Sequence, residues 1–284
     1  MKGSRGVRRN SFCLVTPANH YPSRLPPFGD APVVKLVTPR FAPARFGEYL
    51  VALPAGGGTV EPIAPGFETF LYGLAGESTA QVAGTDAPAV PTARPAVTDA
   101  YGVPTARVAG TDASAVPTAR VAAGEISLRA GAFAYLHATA SFQLSAGPSP
   151  ARLLMIKRRY EPWPTRAAPG LLTGHRDDEL FADTPVPGFR RRELLPVGDP
   201  AFDFNMSLLA FDAGVGLDNI EVHDEEHGLY MTAGAGLYFL DGELLEVERD
   251  DFIYMAPYCP QGFTATGREP AEYLLYKDVW RDGF

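Results

Sequence analysis

The segment IEVHDEEHGLY, residues 220–230, gathers three side chains that bind metal ions strongly: Glu221, His223 and His227. Glu225 and Glu226 crowd in beside them. On a helix the two histidines would share a face at i,i+4, as in zinc proteases. Glu221 would then lie roughly 200° around the axis from His223, away from any site the histidines form. The position that carries a protease's general base is occupied by Asp224, a shorter acid, and the flanking AGVGLDN and Gly228 are poor helix formers. On a strand, Glu221 and His223 leave the same face at i,i+2. A tight turn at 224–226 then lets His227 open the next strand with Leu229 and Met231 on its face, and Glu225 and Glu226 read as solvated turn residues. The spacing selects the sheet.

The rest of the chain supplies strands to hold such a site. Short apolar runs recur between Gly and Pro: EYLVAL, ETFLYGLAG, EISLRAG, AFAYLHA and ARLLMIK, then NMSLLAF, HGLYMTAGAG, LYFL, ELLEV, DFIYMAP and AEYLLYK. Asp241-Gly242 between two alternating runs predicts a two-residue hairpin. The 29 glycines and 27 prolines favour turns and a β-rich fold. Residues 1–45 read as Pro-rich and irregular apart from a strand at VVKLV (33–37), and 161–200 read as a connector with few regular elements.

Two stretches of strands can be laid on one another. ETFLYGLAGEST (68–79) falls on EHGLYMTAGAGL (226–237), bringing Gly76 onto Gly234; GAFAYLHATASF (131–142) falls on DDFIYMAPYCPQ (250–261); LMIKRR (154–159) falls on LLYKDV (274–279). Three matches in one order indicate an internal duplication. The first copy puts Ile63, Pro65, Thr69 and Phe142 where the second has Glu221, His223, His227 and Gln261, so it carries no ligand set. Glu68 and His137 in that copy read as packing residues, and His20 and His175 carry no site signal.

The copies differ in length because of three consecutive 13-residue units at 82–120: VAGTDAPAVPTAR, PAVTDAYGVPTAR and VAGTDASAVPTAR. Their Ala/Pro/Thr composition buries too little apolar surface to offset ordering entropy, which predicts a flexible surface loop. The division expected is therefore 1–45, a first domain at 46–160 interrupted at 82–120, a linker at 161–200, and a second domain at 201–284.

Composition narrows the function. Net charge is −8, but residues 1–160 hold 16 Lys and Arg against 9 Asp and Glu, while 161–284 hold 9 against 24. An acidic second half argues against nucleic-acid binding there, and the Lys157-Arg158-Arg159 run reads as a solvated strand end. No apolar run approaches the roughly 18 residues of a membrane span, and no apolar stretch of signal-peptide length follows the basic N-terminus. Cys13 and Cys259, two cysteines far apart, suggest a reducing compartment and hence a cytoplasmic protein.

The E-x-H-x3-H pattern resembles the first cupin motif, with Glu221 at its first histidine, His223 at its second, His227 at its acid and Gly234 at its closing glycine. The second cupin motif normally adds a histidine after a Pro-Gly turn; MAPYCPQGF stands there and offers Gln261. This ordered departure resembles the (S)-ureidoglycine aminohydrolases, as do FETFLY, IKRRYEP, FDFNM, EEHGLYMTAGAGLY and YKD. The resemblance implies an all-β bicupin, two tandem double-stranded β-helix barrels of which only the second binds metal. It implies Mn2+ held by Glu221, His223, His227 and Gln261, with Tyr238, Tyr273 and Lys277 lining the substrate pocket. Strand parity independently puts Tyr273 and Lys277 on one face. The implied reaction converts a small molecule, (S)-ureidoglycine, to (S)-ureidoglycolate and ammonia in the allantoin branch of purine catabolism, and the family implies a homo-oligomer.

Two imidazoles, a carboxylate and an amide suit Mn2+, Fe2+ or Ni2+, whereas raw affinity favours Zn2+ or Cu2+; only the resemblance selects Mn2+. A cupin dioxygenase using Fe2+ and O2 and a non-catalytic small-molecule-binding cupin are the other readings of the same residues. Cys259, near Gln261, reads as a buried thiol rather than a ligand. Deleting 82–120 leaves ESTAQ joined to VAAGEISL, a hairpin of ordinary length. That deletion is expected to leave folding and metal binding intact, as circular dichroism and metal analysis of the purified variant would show; loss of soluble protein would contradict it.

Overall fold

The computed structural model describes residues 5–41, 43–83, 124–178 and 180–279. No α-helix occurs among them, so none is long and apolar enough to cross a membrane. The described residues form two compact units, the first built from 21–83 and 124–178 and the second from 5–20 and 180–279.

In the first unit a seven-stranded antiparallel sheet runs Leu172–His175, Ala132–Leu136, Glu68–Ala75, Ala151–Arg158, Phe46–Leu53, Val33–Val37, Pro22–Ser23. A three-stranded sheet of Ser141–Ala146, Glu77–Ala83 and Glu125–Arg129 accompanies it. Alternating residues of both, among them Val51, Leu71, Leu128, Phe142 and Met155, form one core. The second unit has an eight-stranded sheet in the order Val7–Arg8, Phe12–Val15, Phe252–Met255, His227–Ala233, Ala271–Asp278, Phe204–Phe211, Phe189–Glu193, Ala182–Asp183. Its three-stranded sheet is Glu243–Glu248, Ala235–Leu240, Gln261–Ala265. Leu229, Met231, Leu240, Ile253 and Phe263 fill the space the two sheets share.

The duplication is visible in the registers. Lys157 stands opposite Thr69 as Lys277 stands opposite His227. Ile63 and Phe142 form a lone antiparallel bridge, and so do Glu221 and Gln261. The Tyr135 hydroxyl donates to Glu68 Oε2 at 2.7 Å and the Tyr254 hydroxyl to Glu226 Oε2 at 3.1 Å. Gly76 and Gly234 share φ values of +68° and +72°, and a Cβ on either would lie 2.2 and 2.5 Å from the carbonyl oxygens of Pro150 and Pro270. Both positions therefore exclude a side chain twice over, by conformation and by backbone approach. The predicted hairpin is present too: Leu240 pairs with Glu243, and Asp241 and Gly242 both take positive φ, as a type I′ turn requires.

Two expectations are revised. The stretch 161–200 is no plain connector, since it supplies Leu172–His175 to the first sheet and Ala182–Asp183 and Phe189–Glu193 to the second. Residues 1–45 hold more than VVKLV: Phe12–Val15, FCLV, joins the second unit and pairs with Phe252–Met255. Leu172–His175 and Phe12–Val15 lie beside equivalent strands of the two sheets, where each satisfies backbone groups that an edge would otherwise expose. Leu172–His175 has no strand partner close in sequence and Phe12–Val15 has only the two-residue Val7–Arg8, so no strong local pattern announces either. Glu77–Ala83 and Glu125–Arg129 pair as the two arms of a hairpin. Of the flexible loop expected at 82–120, residues 84–120 lie outside the described residues, while Val82 at the start of the repeats belongs to the core.

Burial gives one titration consequence. Glu48 is 2% exposed, and desolvation pushes its carboxyl up to about 8 from 4.5. Between those values the unfolded chain has released a proton that the folded chain retains, so stability falls as pH rises through this window. Glu48→Gln removes that loss. Its stability advantage over the wild type, measured by urea unfolding, is expected to grow between pH 4.5 and 8; a difference independent of pH would contradict this.

Candidate metal centre

Glu221 and Gln261 are joined through their backbones by reciprocal hydrogen bonds, Glu221 N to Gln261 O at 2.8 Å and Gln261 N to Glu221 O at 3.0 Å. This pair is a single bridge rather than a full strand at Glu221, because the chain leaves the sheet at Val222. The alternation survives nonetheless. Ile220 and Val222 are 51% and 57% exposed, while Glu221 between them is buried at 8%. His223 is secured by its carbonyl, which accepts from Tyr258 N at 2.7 Å, and Tyr258 itself turns at φ +63°. His227 opens the His227–Ala233 strand with Leu229 and Met231 inside, as the spacing predicts.

The side chains of His227, His223 and Gln261 converge. His227 Nε2 is 3.0 Å from His223 Nε2, the two rings lie 4.7 Å apart at 44°, and His223 Nε2 is 2.9 Å from Gln261 Nε2. His227 is fully buried, and desolvation, followed by the charges of Lys277 and His223, holds its imidazolium well below the ordinary value. It therefore presents lone pairs rather than charge. Facing imidazole nitrogens can share one proton at most, and His227 Nδ1 is buried with no hydrogen-bond partner. Turning the Gln261 amide would offer its oxygen in place of its nitrogen, an arrangement that the imidazole lone pairs oppose and that a cation between them would favour. Among the described residues no three His, Cys, Asp or Glu side chains close into a cage by themselves. Two imidazoles and an amide drawn together, with Glu221 joined to Gln261 through the backbone, make a donor set of the kind that suits a divalent cation.

The three residues expected to line a substrate pocket lie on the strands nearby. Lys277 is opposite His227 in register, and Tyr273 is opposite Met231 on the same strand. The Tyr238 hydroxyl is pushed up by burial and by the Glu221 charge, against a smaller opposing effect of its hydrogen bond with Tyr273. Phe263 packs on both, 5.5 Å from the Tyr238 ring and 5.4 Å from the Tyr273 ring, and Phe211 lies 5.0 Å from Phe263. Phe263 was findable: it stands two residues after Gln261, so the parity that turns Gln261 inward turns Phe263 inward as well. Of the seven sequence-predicted residues, Glu221, His227, Tyr238, Gln261 and Tyr273 are buried in the second unit, and His223 and Lys277 are partly exposed there. The first unit offers Ile63, Pro65, Thr69 and Phe142 at the corresponding places, three apolar groups and a neutral hydroxyl.

The acidic turn departs from expectation. Glu226 is 0% exposed and accepts from Tyr254, and Glu225 is a half-buried carboxylate, 3.0 Å from His223 Nδ1 and 3.1 Å from Lys277 Nζ. Burial acts to raise Glu225, but His223 and Lys277 outweigh it and hold the carboxyl below the ordinary range. Both acids read as solvated because sequence shows charge and turn propensity, not the cations that meet them in space. The remaining candidates keep structural roles. Cys259 is buried in the core, its thiol pushed up to about 12 by desolvation and then by Asp241. His137 stacks edge-on against Tyr160 at 5.0 Å in the first unit.

No family model matches the chain. It is 37% identical to (S)-ureidoglycine aminohydrolase of Arabidopsis thaliana over 155 residues, 55% of this chain and 51% of that protein. It thus spans about half the length of that plant relative, and 41% of a probable (S)-ureidoglycine aminohydrolase of Oryza sativa to which it is 39% identical over 46% of its own residues. Similarity to (S)-ureidoglycine aminohydrolase of Escherichia coli K12 runs further, at 28% identity over 97% of this chain and 91% of that protein. Among solved structures, the E. coli protein Ylba superposes with a TM-score of 0.74 and 26% identity, covering 99% of this chain and 96% of that one. A putative glyoxylate induced protein of Pseudomonas aeruginosa superposes with a TM-score of 0.77 at 19% identity, covering 100% and 95%, and shares the fold. By fold the chain is a bicupin, and in sequence it is similar to (S)-ureidoglycine aminohydrolases.

Proposed function

We propose that the second unit is a metal-dependent (S)-ureidoglycine aminohydrolase centre, which replaces the amine of (S)-ureidoglycine by hydroxyl and releases ammonia. The observation that carries this reading is the convergence of His223, His227 and Gln261, with Glu221 paired to Gln261 through the backbone, in a chain whose similarity to a relative of that name extends over 97% of its length. Those four residues would hold the ion, and Mn2+ is the ion the family resemblance implies. When bound, it would supply Lewis acidity and positive charge to a chelating anionic substrate. The first unit, with no ligand set, serves as a structural partner, and assembly into a homo-oligomer belongs to the same reading.

The protein's own groups account for binding and orientation. Lys277, whose side chain is 14% exposed, lies on the strand opposite His227 and supplies a cation for the substrate carboxylate. Tyr238 stays protonated at neutral pH because burial and Glu221 oppose its ionisation. Its Oη, hydrogen-bonded with Tyr273, can hold the water that enters or the amine that departs. Phe211 and Phe263 exclude bulk water from that side of the pocket, which strengthens each polar contact within it.

Freshly generated (S)-ureidoglycine is the substrate to test. Ammonia release is expected to stop on chelation, return with Mn2+, and continue without oxygen, which separates this reading from a dioxygenase. Glu221→Ala, His223→Ala and Gln261→Ala are each expected to lower bound metal and turnover by roughly 100-fold or more, beyond what removing an outer hydrogen-bond partner costs. Variants that keep full metal content and full activity would refute the site, and metal binding without turnover would mark a binding protein.

A further inference from the structure

Glu225 stands midway between His223 and His227 in sequence, and its two oxygens are divided between two parts of the pocket. Oε2 lies 3.0 Å from His223 Nδ1, close enough for an ion pair though not aligned as a hydrogen bond, and Oε1 lies 3.1 Å from Lys277 Nζ. The three side chains are 15%, 20% and 14% exposed for His223, Glu225 and Lys277, so water screens these contacts only partly. An imidazole that binds metal through Nε2 carries its proton on Nδ1, and a carboxylate there selects that tautomer and fixes the ring. His223 Nε2 is the atom that faces His227 and Gln261.

The first unit provides an internal comparison. The duplication register that sets Glu68 on Glu226 sets Phe67 on Glu225 and Lys157 on Lys277. There Lys157 Nζ lies 5.0 Å from the Phe67 ring centre, a cation over an aromatic face. A lysine at this strand position is thus held in both units, but only the unit with the ligand set holds it through a carboxylate that also reaches a histidine.

We infer that Glu225 is a positioning residue that couples the metal site to substrate recognition, holding His223 for the metal with one oxygen and Lys277 for the substrate carboxylate with the other. This inference rests on the aminohydrolase reading for the identity of the substrate, but not for its metal arm. Because both duties fall on one carboxylate, its removal should weaken two measurable affinities that removal of Lys277 separates.

The test compares Glu225→Ala, Glu225→Gln and Lys277→Ala with the wild type, using Mn2+ titration of the metal-free proteins by calorimetry and steady-state turnover of (S)-ureidoglycine. Glu225→Ala is expected to weaken Mn2+ binding about 10–100-fold and to raise KM. Glu225→Gln keeps an acceptor for the His223 ring but no charge opposite Lys277, so it should recover most of the Mn2+ affinity while KM stays raised. Lys277→Ala should raise KM and leave Mn2+ affinity unchanged. Wild-type Mn2+ affinity in Glu225→Ala, or wild-type KM in Glu225→Gln, would overturn the inference. Should the alanine variant fail to fold, as judged by circular dichroism, the isosteric glutamine variant decides through KM against kcat per bound metal. Mn2+ binding without ammonia release in the wild type would refute the aminohydrolase reading alone, with the Mn2+ comparison still reporting on Glu225.

Discussion

Glu221 and Gln261, forty residues apart, are tied by two backbone hydrogen bonds that no side chain influences. Everything in the pocket is arranged from that bridge. It delivers a carboxylate from one segment and an amide from another to the same side of the sheet. The loop that follows Glu221 is then anchored by Tyr258 on His223, and the strand that follows the acidic turn begins with His227. Because the bridge is made by main-chain atoms, it can be kept while the side chains it presents are exchanged. The first unit does this, with Ile63 and Phe142 in the same reciprocal pairing and a dry apolar core where the second unit gathers donors.

This separation of scaffold from chemistry explains how two copies of one fold can differ in function. The equivalent strands, the buried Tyr–Glu pairs and the glycines under Pro150 and Pro270 recur because they are demands of the backbone. The donors do not recur, because nothing in the backbone requires them. Burying Glu221, His227 and Gln261 beside the half-buried His223 costs desolvation. Their presence in the second unit is a cost that a bound ion would offset, and their replacement in the first by Ile63, Pro65 and Phe142 removes it.

Much of this was legible in the sequence for definite reasons. Asp241-Gly242 set a turn, three ordered matches set the duplication, and the sheet reading of 220–231 set His227 at the head of a strand, although His223 lies in the loop after Glu221. Each of these signals is local or repeated. What escaped was non-local. Phe12–Val15 and Leu172–His175 each pair with a strand far away in the chain, Phe252–Met255 and Ala132–Leu136. Glu225 and Glu226 look like solvent-facing charge until Lys277 and Tyr254, from other strands, are placed beside them. A run of acids in a turn has the same appearance in sequence whether its partners are water or a buried lysine.

The central claim is that one divalent ion is held by donors from both sides of the Glu221–Gln261 bridge. Crystals of the protein grown with Mn2+ and measured at the manganese absorption edge test it most directly. The account predicts one anomalous peak per chain, bonded to Glu221, the Nε2 atoms of His223 and His227, and the side-chain oxygen of Gln261. A peak elsewhere in the chain, or none at full Mn2+ load, would contradict it.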